Sequence, residues 1–441
     1  MQSYIDYSVR WLSVSGVTRL RRCLATTLAV ASVLLFLPME RCQAGDTLRA
    51  VASRFSAVPG GDAYRFHQVR LPGIASSGEV AFRADLISDD VGNTTGVWSG
   101  AGPHGPAVLA VRGETPPGLE PDVHWHSFRW LNLSCRGHSA FTGTLAGDLS
   151  DPQYSSGIWA TAPTGGVRQV MRAGDVAPGL GSGVLFPNLP DPWFTSRTPF
   201  FQSGNGQVAF LARLTGPNAK ANDLSIWAES ITFDLRLVAR AGEAAPGALP
   251  SETFATFPSN QTTPFPLIND HGQVAFTARL QAPGLGSPDS IGLWSETGGE
   301  LDLVVRTGEQ ADGMPAGVDY HTLKLHGINA RGNVLFTGAT RSDGQTEYGQ
   351  GLWLVDETNR PSLLLEIGTP APGTEAGTTF TEFVDKSTLH PVLGAQGAIA
   401  FVGELEGPAV DDSNDTGIWA RSAEGEWRLI AREGELSPNG D

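Results

Sequence analysis

Six times along the chain a run of alternating apolar and polar positions opens on glycine and reaches phenylalanine four residues later: Gly78 to Phe82, Gly137 to Phe141, Gly206 to Phe210, Gly272 to Phe276, Gly332 to Phe336 and Gly397 to Phe401. Alternation at a period of two is the mark of a half-buried strand. Some 16 to 18 residues after each Phe stands a tryptophan, at Trp98, Trp159, Trp227, Trp294, Trp353 and Trp419, with steps of 61, 68, 67, 59 and 66 residues. A third apolar strand follows each Trp and runs into a turn, as in Leu237-Val-Ala-Arg240-Ala-Gly242-Glu243 with Pro246-Gly247 beyond. A weaker Phe-x-x-Phe segment, such as Phe254 to Phe257 or Phe380 to Phe383, reads as a fourth strand.

Units of this length with four short antiparallel strands have the size of propeller blades. The expectation is an all-β protein of tandem four-stranded repeats forming a six-bladed β-propeller, with a seven-bladed form or an open β-repeat array as alternatives. Leu48 to Arg54 reads as a third strand and Tyr64 to Val69 as a fourth, while the last repeat ends after its third strand at Arg432. The N-terminal strand is therefore expected to complete the final blade and remove an open sheet edge.

The pattern resembles the NxxGxxAF tandem-repeat, or choice-of-anchor, family of secreted bacterial proteins. Asn269-Asp-His-Gly272-Gln-Val-Ala275-Phe276 fits that motif in full, and Asn329 to Phe336 fits it except at Leu335. Elsewhere the Asn position holds Ala75, Ser134, Ser203 or Gly394. The resemblance implies topology and an extracytoplasmic compartment, and no reaction.

The N-terminus adds an export signal. Arg19, Arg21 and Arg22 precede an apolar run from Cys23 to Pro38, and small residues follow at Ala44-Gly45. These are the parts of a secretory signal peptide in order, with a retained membrane anchor as the alternative. Residues 1–44 are read as an N-terminal extension with a signal peptide and 45–441 as one repeat domain, exported to the periplasm, cell surface or medium. Cleavage after Ala44 would leave Cys135 as the one cysteine, so no internal disulfide is expected.

The formal charge of −16 argues against nucleic-acid partners, which call for a basic surface. No Gly-x-Ser-x-Gly elbow, His-Glu-x-x-His or phosphate-binding loop occurs. The repeated Trp and Phe are expected to pack between sheets, and the repeated Arg-x-Gly-Asp/Glu turns, with Arg240 three residues before Glu243, to form local bridges. Trp125, Trp130 and Trp193 lie outside the repeat pattern and are read as candidates for stacking on a ligand, Trp125 foremost.

The loops between the first and second strands are acidic and variable, the place for specificity on a rigid frame. Asp89, Asp90, Asp411, Asp412 and Asp415 are the candidate ligand-binding residues. Asp411, Ser413 and Asp415 offer oxygens at alternate positions, part of a calcium loop. His124 and His126 on one strand face are a two-ligand metal candidate. No cofactor is expected apart from calcium. The functional expectation is a non-enzymatic binding or scaffold module for an extracellular protein or polysaccharide; the alternative is a propeller-type hydrolase or lyase acting on a polysaccharide or other polymer, marked by unrepeated Asp, Glu, His or Tyr gathered at one place.

Overall fold

A computed structural model describes residues 51–435, apart from 60, 91, 101–104, 150–154, 189–199, 221–222, 258–265, 283–290, 343–348 and 385–388. The expected signal-peptide cleavage lies outside the described residues, as do Trp193 and the acidic stretch 343–347. The strands belong to one compact unit, Leu48–Asp441. No helix occurs among the described residues, hence none long and apolar enough to cross a membrane.

The described residues form six antiparallel sheets, the blades of a propeller-type all-β fold. Blade 1 is built from Gly61–Ile74, Val80–Ile87, Thr94–Gly100 and Ala107–Val111, with the short Ala57–Val58 on its edge. Blade 2 holds Val123–Leu133, Ser139–Gly147, Ser156–Thr161 and Val167–Arg172, and blade 3 holds Phe200–Gln202, Val208–Arg213, Leu224–Glu229 and Leu235–Arg240. In the last three blades the first strand comes in two pieces. Blade 4 has Thr253–Thr256 and Leu267–Ile268 before Val274–Gln281, Ile291–Ser295 and Asp302–Arg306. Blade 5 has Val318–Tyr320 and Lys324–Ile328 before Val334–Ser342, Gly349–Val355 and Pro361–Glu366. Blade 6 has Thr379–Phe383 and Val392–Leu393 before Ile399–Glu406, Thr416–Arg421 and Trp427–Arg432.

The phase of the repeat differs from the sequence expectation. The Phe-x-x-Phe strand opens a blade instead of ending one: Phe254 pairs with Leu280, ahead of it in the chain. Likewise Gly61–Ile74 pairs with Val80–Ile87 of blade 1. Each blade is thus built from consecutive chain, and among the described residues the expected strand exchange with the final blade does not occur. The reason is the aromatic at the blade's start. Phe66, Phe186, Phe254, Tyr320 and Phe380 each stand edge-on to the Trp of their own blade, at centroid distances of 5.2, 5.0, 5.0, 5.1 and 4.8 Å. Such T-shaped pairs add to the stabilisation from burial alone.

Each of the six repeated Trp is fully buried. In five blades the residue two before it is glycine because the indole covers that position: a Cβ on Gly292 would lie 2.6 Å from the Trp294 ring, and one on Gly351 2.3 Å from Trp353. Blade 3 solves the same problem differently. Ser225 replaces the glycine and its hydroxyl accepts the Trp227 indole N–H at 2.8 Å. In blades 4, 5 and 6 that N–H donates instead to the carbonyls of Pro246, Asp312 and Pro372, in the turn entering the blade.

Candidate functional site

Two backbone devices join successive blades, and the chemistry gathers on one of them. The first is the Arg-x-Gly-Asp/Glu turn. Its glycine N–H donates to the carbonyl of the next blade's opening aromatic, and its acidic residue's carbonyl accepts that aromatic's N–H: Gly242 and Glu243 hold Phe254 at 2.7 and 3.0 Å, and Gly308 and Glu309 hold Tyr320 at 2.8 and 2.9 Å. The expected local bridge is a minor contact. Arg240 makes a bidentate pair with buried Asp223 at 2.6 Å and reaches Glu243 only at 3.6 Å, while Arg306 pairs with Glu252 and Arg432 with Glu375.

The second device is the Asn-x-x-Gly turn. Asn269 Oδ1 accepts the N–H groups of His271 and Gln273, each at 3.0 Å, and its Nδ2 donates to the carbonyl of Asn329 on blade 5. Asn329 repeats the arrangement with Arg331 and Asn333. In blade 2 Ser134 takes the Asn place and its Oγ donates to Gly204 O at 3.0 Å; in blade 1 that place is Ala75, and the next residue, Ser76, donates through its Oγ to Cys135 O at 2.6 Å. Closing such a turn requires the left-handed backbone seen at Gly272, with φ of 75°.

The turns stack blade upon blade, so equivalent side chains form rows. The row just after the glycine reads Glu79, His138, Gln207, Gln273, Asn333 and Ala398. Each early member leans over the next blade's glycine: a Cβ on Gly137 would meet the Glu79 side chain at 2.7 Å, and one on Gly206 would meet His138 at 3.0 Å. Acid and base groups occupy this row in blades 1 and 2 only. The neighbouring positions add Arg136, whose guanidinium bonds Asp270 Oδ2 at 2.9 Å and Asn205 Oδ1 at 2.6 Å. Asp270 also accepts the Asn205 N–H at 3.2 Å, and a Cβ on Gly204 would lie 2.5 Å from its carboxylate.

Burial, with Arg136 and Arg168 nearby, holds the His138 imidazole below its ordinary value, against the opposing pull of Glu79 and Asp270. It is neutral at physiological pH and able to accept a proton. Glu79 is held below the usual carboxylate range by hydrogen bonds from Ser77 and from its own backbone N–H, with a smaller contribution from His138, so it is an anion. Beneath His138, Arg168 forms a forked pair with buried Glu229 and donates to Gly206 O at 3.2 Å. The site is therefore an asymmetric set across blades 1 to 4, namely Glu79, Arg136, His138 and Asp270.

The residues singled out from the sequence lie elsewhere. Trp125 is not a stacking platform: it is 1% exposed, packs edge-on to Trp159 at 4.5 Å and holds blade 2's place in the series of opening aromatics. Its N–H donates to Glu114 O as that of Phe254 does to Glu243 O, so it belongs to the repeat. Trp130 is partly buried against the core between blades 2 and 3. His124 is half-buried and His126 exposed, and no cluster of three metal-ligating side chains occurs among the described residues. Asp411 Oδ1 accepts Ser413 N–H and Oγ–H at 2.9 and 2.6 Å, and Asp415 accepts the Thr416 hydroxyl at 3.0 Å. These acids, with Asp412 beside them, stabilise their own loop; Asp89 and Asp90 are exposed. The turn row was missed because its only sequence signal is the failure of one position to repeat as an amide.

A family model matches residues 43–312 and again 260–441, together spanning nearly the whole chain. The chain belongs to DUF7453, a family of unknown function. No curated protein matches the sequence. Among solved structures the fold is similar to the α-L-arabinanase of Penicillium chrysogenum complexed with arabinobiose, at 13% identity over 75% of this chain and 90% of that one, with a TM-score of 0.26. It is also similar to the polysaccharide lyase Uly1, at 10% identity over 90% and 87% of the two chains and a TM-score of 0.31. A third is an ulvan lyase bound to -[GlcA(1-4)Rha3S]-, at 8% identity over 80% and 81% and a TM-score of 0.26. The expectation of a non-enzymatic scaffold is corrected here. The turn row gathers acid and base groups, Glu79 and His138, that the other blades do not repeat.

Proposed function

We propose that the protein is an exported enzyme that cleaves a polysaccharide, by hydrolysis or by elimination, on the turn row carrying Glu79, Arg136, His138 and Asp270. The observation that carries this reading is the asymmetry of the row. The position is an amide in blades 3 to 5 (Gln207, Gln273, Asn333) and Ala398 in blade 6, yet it is Glu79 in blade 1 and His138 in blade 2. Perturbed ionisable groups gathered in this way suit proton transfer.

Neutral His138 is the general base. In a hydrolysis it takes a proton from the water that attacks the anomeric carbon as the glycosidic C–O bond breaks. In an elimination it takes the proton from the sugar carbon next to a uronate carboxylate as the glycosidic oxygen leaves the adjacent carbon and a C=C bond forms. In both, the departing oxygen takes up the proton from the imidazolium. The anionic Glu79 beside it stabilises the imidazolium that forms. Arg136, held in place by Asp270 and Asn205, presents a cation to an acidic or hydroxyl-rich sugar. Export agrees with a polymeric substrate outside the cell and is supported by the basic, apolar and small-residue order of the first 44 residues.

Incubating the protein recovered from an exporting host with a panel of neutral and uronate-containing polysaccharides tests the proposal. New reducing ends report cleavage by either route, and an ultraviolet-absorbing unsaturated product reports elimination alone. His138→Ala is expected to lower turnover by about 10²- to 10⁴-fold while leaving the melting temperature close to that of the parent. Full activity in that variant, or no cleavage of any polymer, overturns the assignment.

A further inference from the structure

The joints between blades follow one pattern, and it is unfilled at blade 1. Just before each Asn-x-x-Gly turn stands an inward position, occupied by Ile74, Leu133, Gln202, Ile268, Ile328 and Leu393 in the six blades. From blade 2 onward this residue is covered. A Cβ on Gly73 of blade 1 would lie 3.4 Å from that of Leu133, and one on Gly327 of blade 5 would lie 3.0 Å from that of Leu393; Ile268 is 6% exposed. Ile74 is 78% exposed, and Leu71 and Val69 on the same strand are 46% and 37% exposed. Leu71, Gly73 and Ile74 line an open cleft of about 260 Å³ together with Leu131 and Leu133 of blade 2.

The opposite end of the series is its counterpart. Val392, one residue before Leu393, holds in blade 6 the place that Gly73 and Gly327 hold where they receive the next blade. The turn latch also stops there: Gly394 accepts from Asn329 Nδ2 but has no side chain to donate forward. Among the described residues no turn latch or strand ladder joins blade 6 to blade 1.

We propose that the open face of blade 1, centred on Ile74, seats on the blade 6 face of a second copy of this chain around Val392. The argument is continuity: the surface that fits this apolar position inside the molecule is the face of the preceding blade, and a second copy's blade 6 presents that kind of face at the half-buried Val392. The cleft is lined mainly by apolar side chains, with Asn132 the one polar residue among them. Such a contact uses two different faces, so it propagates head to tail into rings or filaments instead of stopping at a dimer.

Sedimentation velocity of the full chain over a wide concentration range is expected to show mass increasing with concentration, and Ile74→Asp to weaken the association by roughly tenfold or more with an unchanged melting temperature. In a background with Cys23, Cys42 and Cys135 changed to Ser, mixing the Ile74→Cys protein with the Val392→Cys protein should give a disulfide-linked pair under mild oxidation. A parent that stays monomeric throughout overturns the proposal. So does an Ile74→Cys/Val392→Cys double variant that links only within one chain, since blade 1 would then close on its own blade 6.

Discussion

The Nδ2 of Asn269 donates to the carbonyl of Asn329 at 3.0 Å, across the joint between blades 4 and 5, while its Oδ1 closes its own turn. One side chain therefore folds a blade's turn and fastens it to the next blade. Asn269→Ala leaves buried backbone groups without partners and should cost about 1 to 3 kcal/mol. Asn269→Ser, which keeps an oxygen for the turn, should recover part of that loss. Urea denaturation of both variants measures the difference.

The indole of Trp294 fills the space that a side chain at position 292 would take. Gly292→Ala should destabilise the protein by about 1 to 3 kcal/mol through overpacking, and Trp294→Ala by about 3 to 5 kcal/mol. Ser225→Gly in blade 3 removes the acceptor of the Trp227 N–H and should cost about 1 to 3 kcal/mol. Thermal melting of the three variants orders these effects.

Arg168 and Glu229 form a cross-blade pair in which the Glu229 side chain is 2% exposed, and burial raises its carboxyl despite the guanidinium. Arg168→Ala leaves that group buried without its cation and should cost about 3 to 5 kcal/mol. The double variant Arg168→Leu/Glu229→Leu should lose less than Arg168→Ala. A double-mutant cycle by chemical denaturation checks the ordering.

His326 of blade 5 shares a hydrogen bond of 2.7 Å with Thr337, and burial, then Lys324 and His390, hold its imidazole well below 6.5. His138 is displaced in the same direction. A folded-state value below the unfolded one means that the native chain binds its proton later than the unfolded chain. Stability is whole above about pH 6.5 and declines as the pH falls through that value toward the folded one. Melting temperatures are expected to drop on acidification across this window, with a shallower drop in His326→Gln.

The landmark residues determine much of this protein by themselves. Six Phe and six Trp at matched spacing fix six β-blades, because period-two alternation and a recurring large aromatic leave few other ways to bury apolar surface. Which blade each strand joins was decided by tertiary contact. Phe254 and Trp125 read as a trailing segment and a spare aromatic, and only their edge-on packing against Trp294 and Trp159 shows that both open a blade. The acidic loop at Asp411 stood out in sequence through composition, yet its carboxylate is taken up by Ser413 two residues away. Glu79, His138 and Asp270 are 59 and 132 residues apart in the chain, and each reads alone as an ordinary surface residue. They share a site because the turns stack at one blade per repeat, a spacing set by the packing of sheets and not written in any local run of residues.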